Sequence, residues 1–122
     1  RDLRMSRGLG DVYKRQTMFR PRFASDIAEV GPAGCFDDDV NGICASKAVI
    51  ANLMDEDSGT MFEIGFAHSL GIPVYAYREG LRDGDSINLM IAQSVRAVFS
   101  SSDDLARYLE TGEHKDADYA QF

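Results

Sequence analysis

The sequence predicts an α/β domain in which a parallel sheet carries helices on both faces. Short apolar, β-branched segments recur at residues 47–54 ("KAVIANLM"), 73–77 ("PVYAY") and 95–100 ("VRAVFS"). Helical patterns with recognisable start and stop residues alternate with them, which implies parallel strands joined by right-handed crossovers. At 122 residues, 44% of them hydrophobic, the chain can bury one compact core but not two.

The elements are justified in chain order. Residues 1–16, "RDLRMSRGLGDVYKRQ", stand apart from the rest. They hold five basic and two acidic residues, against eight basic and eighteen acidic in the remainder. "DVYKRQ" resembles the translation of a transposon end used in sequencing adapters, so the segment is read as non-native and set aside. Residues 17–122 are then expected to form a single domain. Residues 17–34 mix an extended aromatic stretch, a short helical pattern and a Gly-Pro turn, and are ambiguous. Residues 37–46, "DDDVNGICAS", predict a short helix with its acids toward the N-terminus. The segment 47–54 reads as a buried parallel strand.

A helix follows to about Leu70, stopped by Gly71 and Pro73. After the strand at 73–77 come a polar loop, "REGLRDGDS", and a short helix or helical turn in "INLMIAQS". The strand at 95–100 leads into "SSDDLARYLETG", a helix with Ser at its N-cap and Gly past its end. The tail from Glu113 is polar and expected to be loosely held. There are no internal repeats.

Charge and composition limit the function. Residues 17–122 carry a net charge of −10, which argues against a nucleic-acid polymer as partner, because phosphate-backbone binding needs a basic surface. No apolar run approaches the roughly 20 residues needed to cross a bilayer, and no signal-peptide core opens the chain. The expectation is a cytoplasmic protein without membrane contact. Cys35 and Cys44 have neither disulfide-framework nor metal-ligand spacing.

The segment 55–68, "DEDSGTMFEIGFAH", lies where a strand ends and a helix begins. Ligands of parallel sheets bind at such carboxyl ends. Asp57, Ser58 and Gly59 form the turn, and Glu63 falls about one turn into the helix. The glycine would let backbone approach a ligand closely. Two readings of Glu63 stand at this level. Thr60 to Glu63 fits a capping box, with Glu63 reaching back to the cap amide; alternatively Glu63 is a catalytic carboxylate. Asp39, Asp57 and Asn88 likewise read as a solvated helix start, an Asx-turn and a helix cap, or as site residues. His68 and His114 receive no role. Tyr75 and Tyr77 read as core.

Three stretches in order, "DVNGI" (39–43), "DSGTMFEIGFA" (57–67) and "INLM" (87–90), with "GIPV" (71–74) between the last two, resemble the nucleoside 2-deoxyribosyltransferase family. The likeness covers about residues 36–99. It implies a three-layer, flavodoxin-like or Rossmann-like parallel sheet whose N-terminal strand unit is missing here, its place taken by residues 1–16. That missing strand would lie between two others. It further implies transfer of a 2-deoxyribosyl group between nucleobases, with retention, through a covalent sugar on Glu63. Asp57 would position Glu63 and the sugar, and Asp39 would bind and protonate the base. Ser58 and Gly59 would lie against substrate. Asn88 and Met90 would reach the 5′ end of the deoxyribose in a neighbouring subunit's site, which implies a homo-oligomer. The partners implied are 2′-deoxynucleosides and free nucleobases, with no metal and no organic cofactor. "FRPRF" (19–23) could line the pocket but matches no motif.

Two other functions compete with transfer. One is hydrolysis of the N-glycosidic bond of 2′-deoxynucleoside 5′-monophosphates; the other is a nucleotide-binding module without chemistry. "INLM" and the low basic content near the motifs favour a free 5′-hydroxyl over a phosphate, which would prefer Arg or backbone amides. The pairing of Asp57 with Glu63 favours an enzyme over a pure binder.

Overall fold

The structure is a computed structural model and describes residues 18–19, 24–114 and 117–122. Its elements are β1 (Met18–Phe19), α1 (Ala24–Ala45), β2 (Ala48–Asn52), a 3-10 turn (Met54–Glu56) and α2 (Ser58–Ser69). β3 (Val74–Tyr77), β4 (Ser86–Ile87), α3 (Leu89–Ser94), β5 (Ala97–Phe99), α4 (Ser102–Thr111) and β6 (Ala120–Gln121) follow. β1, β2, β3 and β5 form a parallel sheet in that order, and β4 pairs in parallel with β6 in a second sheet.

Alternation along the strands divides the core between two faces. Val49 and Ala51 of β2, Val74 and Ala76 of β3 and Val98 of β5 share one cluster with Ile43 of α1, Ile64 and Ala67 of α2 and Ala92 of α3. Ile50, Tyr77 and Phe99 point the other way and pack with Leu105 and Ala106 of α4. The result is three layers, with α1, α2 and α3 on one face and α4 on the other. All five residues of β2 are buried, which is why that segment reads as a continuous apolar run.

β2 and β3 are held in register from Val49 opposite Val74 to Asn52 opposite Tyr77. The turn before β3 sets this register. Gly71 adopts φ 74°, the Gly71 amide donates to the His68 carbonyl, and the Ile72 amide donates to that of Ala67, each at 3.0 Å. This is a Schellman closure, and Ile72 packs against the core beside Ala67, as the motif favours.

The structure corrects three sequence expectations. The helix expected at 37–46 is the second part of α1, which runs from Ala24 to Ala45 with a break at Gly31 (φ 77°, ψ 167°) ahead of Pro32. Asp37 to Asp39 therefore lie inside a helical segment rather than at its start; Pro32 occupies that start, where its missing N–H costs nothing. The tail is not loosely held where it is described: β6 pairs with β4, the Leu89 amide donates to the Phe122 carbonyl at 2.7 Å, and Tyr119 packs against the main core. The loop before α3 contains β4, whose two residues are too few to show a period-2 pattern.

β1 arises from the extended part of the ambiguous segment and pairs Met18 with Ala48 and Phe19 with Val49. Residues 1–16, read as non-native, lie outside the described residues, as do positions 20–23 of the aromatic stretch. No helix among the described residues is long and apolar enough to cross a membrane.

Candidate active site

The loop from β2 to α2 is built from local hydrogen bonds. Asn52 is buried and its Oδ1 accepts from the Met54 amide at 2.9 Å. Asp55 then takes a left-handed backbone at φ 64°, the one positive φ outside glycine among the described residues. Such a conformation is costly for a residue with a Cβ and tends to mark functional loops. Asp57 is the N-cap of α2: its Oδ2 accepts from the Thr60 amide at 3.0 Å and from Thr60 Oγ1 at 2.9 Å.

This cap excludes the capping-box reading of Glu63. The helix starts at Ser58, so Glu63 is its sixth residue and sits in the second turn. A capping box requires a glutamate at the third position, which Thr60 occupies. Glu63 is buried, with 6% of its surface exposed, on the face that carries Thr60, Ile64 and Ala67. Spacings of three and four place these four side chains on one stripe facing the sheet. A carboxylate on such a stripe is expensive to bury, and helix formation does not require one there. The macrodipole at the helix start acts mainly on Asp57, since its effect fades beyond the first turn.

Ser58 is exposed and Gly59 half-buried at the first two helical positions. Gly59 is not among the positive-φ glycines, so the unusual backbone of this loop belongs to Asp55. Asp39 lies half-buried on α1, one turn from Cys35 and one turn from Ile43, both buried. It also lies three residues from Phe36, whose ring is 6.0 Å from that of Phe62 on α2. Asp39, Asp57 and Glu63 therefore belong to two packed helices and the loop that starts one of them.

Asn88 stands elsewhere. It is the N-cap of α3, its Oδ1 accepting from the amides of Met90 at 2.9 Å and Ile91 at 3.3 Å. Met90 is 67% exposed. Asn88 lines a cleft of about 760 Å³ together with Leu53, Met54, Asp55, Met61, Arg78, Ser86, Ile87 and Ile91. This volume is in the usual range for small-molecule sites, and the cleft lies at the carboxyl ends of β2 and β3, as the parallel-sheet rule requires. Asp39, Asp57 and Glu63 are not among its lining residues.

Arg78 and Asp55 escaped the sequence reading. Arg78 follows directly on β3, so its place at a strand's carboxyl end was the available signal. Its Nη1 donates to the Ser86 carbonyl at 3.2 Å, tying the end of β3 to β4. The core reading of the two tyrosines holds. Tyr77 is buried and Tyr75 half-buried on the α4 side of the sheet, and His68 is exposed. His114 packs against the rings of Phe99 and Tyr108, at 4.3 and 5.8 Å between centroids. Among the described residues no group of three His, Cys, Asp or Glu side chains could hold a metal ion.

Comparison with curated proteins found no match. The family model described as nucleoside 2-deoxyribosyltransferase matches residues 20–93. That stretch is more than half of the chain and contains Asp39, the Asp57 loop, Glu63, Asn88 and Met90. With this match on a parallel three-layer fold, the chain belongs to the nucleoside 2-deoxyribosyltransferase family.

Proposed function

We propose that this protein transfers a 2-deoxyribosyl group between nucleobases through a covalent intermediate on Glu63. The observation that carries the proposal is the burial of Glu63 on an otherwise core-facing stripe of α2, within the family-matched segment. In the first step a Glu63 carboxylate oxygen attacks C1′ of the deoxynucleoside. The C1′–N bond breaks, its electron pair leaves with the base, and Asp39 supplies the proton that the base takes up. In the second step a nitrogen of the incoming base attacks C1′ from the opposite face. The bond to Glu63 breaks, the carboxylate is restored, and the proton lost by the incoming base returns to Asp39. Two inversions give retention, as in retaining glycosyl transfer.

Asp57 acts as a positioning residue for this chemistry, since its bonds to Thr60 set where α2 begins and so where Glu63 sits. Ser58 and Gly59 lie against the sugar in this scheme. Asn88 and Met90 serve the site of a second copy in a homo-oligomer. The exposure of Met90 supports that arrangement. The two free cysteines agree with a reducing, cytoplasmic setting.

Thymidine and free adenine, incubated with the protein and followed by chromatography, test the proposal. Thymine release with appearance of 2′-deoxyadenosine is expected, falling at least about 10³-fold in Glu63→Gln, as for loss of a nucleophile. Thymine release without the new nucleoside would move the assignment to hydrolysis. Unchanged turnover in Glu63→Gln would refute it.

A further inference from the structure

Asn88 and Met90 sit on a short segment whose hydrogen bonds come from far along the chain. α3 has six residues, too few to hold a helix unaided, and its first amides need acceptors. Asn88 Oδ1 takes those of Met90 and Ile91. The amide of Leu89, at the first helical position, donates instead to the Phe122 carbonyl at 2.7 Å. That bond is one rung of a ladder between residues 83–89 and 118–122. The Asp118 amide donates to Asp83 Oδ1 at 2.9 Å. The Gly84 amide donates to the Asp118 carbonyl at 2.9 Å, the Ala120 amide to the Asp85 carbonyl at 2.7 Å and the Phe122 amide to the Ile87 carbonyl at 3.3 Å. Ala117 and Tyr119 pack against the main core, so the strand that offers these bonds is itself anchored. Gln121 and Phe122 are exposed, and their side chains bury little. What β6 supplies at this point is backbone direction: the two groups that flank Asn88, the Ile87 carbonyl and the Leu89 amide, are both held by Phe122.

We propose that Phe122 is a positioning residue: through its main chain it fixes the backbone on both sides of Asn88, and so aims Asn88 and Met90 at the deoxynucleoside they serve. This rests on the reading of those two residues proposed above. The Phe122 ring has no part in it. Because the Leu89 amide is satisfied by Phe122 and not by water, the start of α3 keeps one direction, and the Asn88 side chain that caps it keeps one place.

The test removes the tie without removing a side chain of the site. Leu89→Pro deletes the amide that donates to Phe122, at the first helical position, where proline is favoured. Asn88 already holds the ψ of 131° that a following proline prefers. Leu89→Ala removes the same side chain and keeps the amide. Gly112→Ala strains the end of α4, across the sheet, and leaves the ladder intact. Thymidine is titrated calorimetrically into the full chain and each variant, with folding checked by circular dichroism. Leu89→Pro is expected to weaken thymidine about 3- to 10-fold, the range for losing one hydrogen bond, and the other two less than about twofold, since neither touches the tie. Phe122→Pro, which deletes the amide that donates to Ile87, should weaken thymidine likewise and carries the test if Leu89→Pro does not fold. Equal binding by Leu89→Pro and Leu89→Ala would overturn the positioning role and leave the transfer proposal standing. A loss in Gly112→Ala as large as in Leu89→Pro would make Phe122 a structural tie alone, which also overturns it. No thymidine binding by the unaltered chain would overturn the inference together with the reading it rests on. Weakened binding in Leu89→Pro alone, in a protein whose turnover survives Glu63→Gln, would uphold this inference while refuting the covalent mechanism.

Discussion

Replacing Asp57 separates its structural from its catalytic contribution, because the two depend on different properties of the side chain. As N-cap of α2 it accepts from the Thr60 amide and hydroxyl through one oxygen, at 3.0 and 2.9 Å. Asp57→Ala removes the cap, at about 1 kcal/mol, and deprives the hydroxyl of Thr60, a residue only 2% exposed, of its acceptor, at about 1–2 kcal/mol more. The expected loss is about 2–3 kcal/mol, or a fall in Tm of roughly 6–15 °C for a domain of this size. Asp57→Asn keeps an acceptor oxygen at the same place and gives up the interaction of charge with the helix dipole, about 0.3–1 kcal/mol. Urea unfolding of both variants, alongside the thymidine and adenine assay, gives the two contributions independently. Near-native stability in Asp57→Asn with turnover lowered at least about 100-fold supports a role for the charge in positioning Glu63 and the sugar. Equal stability of the Ala and Asn variants would refute the capping argument, and full activity in Asp57→Asn would refute the need for the charge.

The remaining predictions concern the frame that holds the site. Leu105 is fully buried in the cluster on the α4 face, so Leu105→Ala should cost about 2–5 kcal/mol in chemical denaturation; a loss under about 1 kcal/mol would mean that α4 is not packed as described. Gly112 ends α4 at φ 75°, and a Cβ there would meet nothing within 4 Å. Gly112→Ala should therefore cost about 1 kcal/mol from backbone strain alone. A neutral result in a thermal melt would show that the left-handed cap is dispensable.

Much of the fold was legible in short stretches of sequence because its signals are local. The β-branched runs of β2, β3 and β5 were visible, as were the Gly71 stop and the Ser101 cap, whose Oγ accepts from the Asp104 amide at 3.0 Å. The start of α2 stayed open because Thr60 and Asp57 are both good caps, and a capping box could be drawn from Thr60 as easily as an N-cap from Asp57. Only the packed helix, with Thr60 buried at its third position, distinguishes them. The β4–β6 pair was invisible because each strand has two residues and its partner is distant in the chain. The composition of the tail, polar from Glu113, hid the contacts of Tyr119 and His114 with the two cores.

By itself the sequence determined the α/β class and the alternation of β2, β3 and β5 with helices, and its resemblance to a family's motifs singled out Asp39, Asp57, Glu63 and Asn88 as candidates. Those follow from propensity, capping and motif spacing, which act within a few residues of one another. Tertiary structure alone decided that Glu63 is buried, that Asn88 shares a cleft with Arg78, and that α4 covers the opposite face. Those are contacts between segments remote in the chain. They depend on which face of each strand and helix turns inward once the sheet is assembled, and a linear pattern carries no such distance.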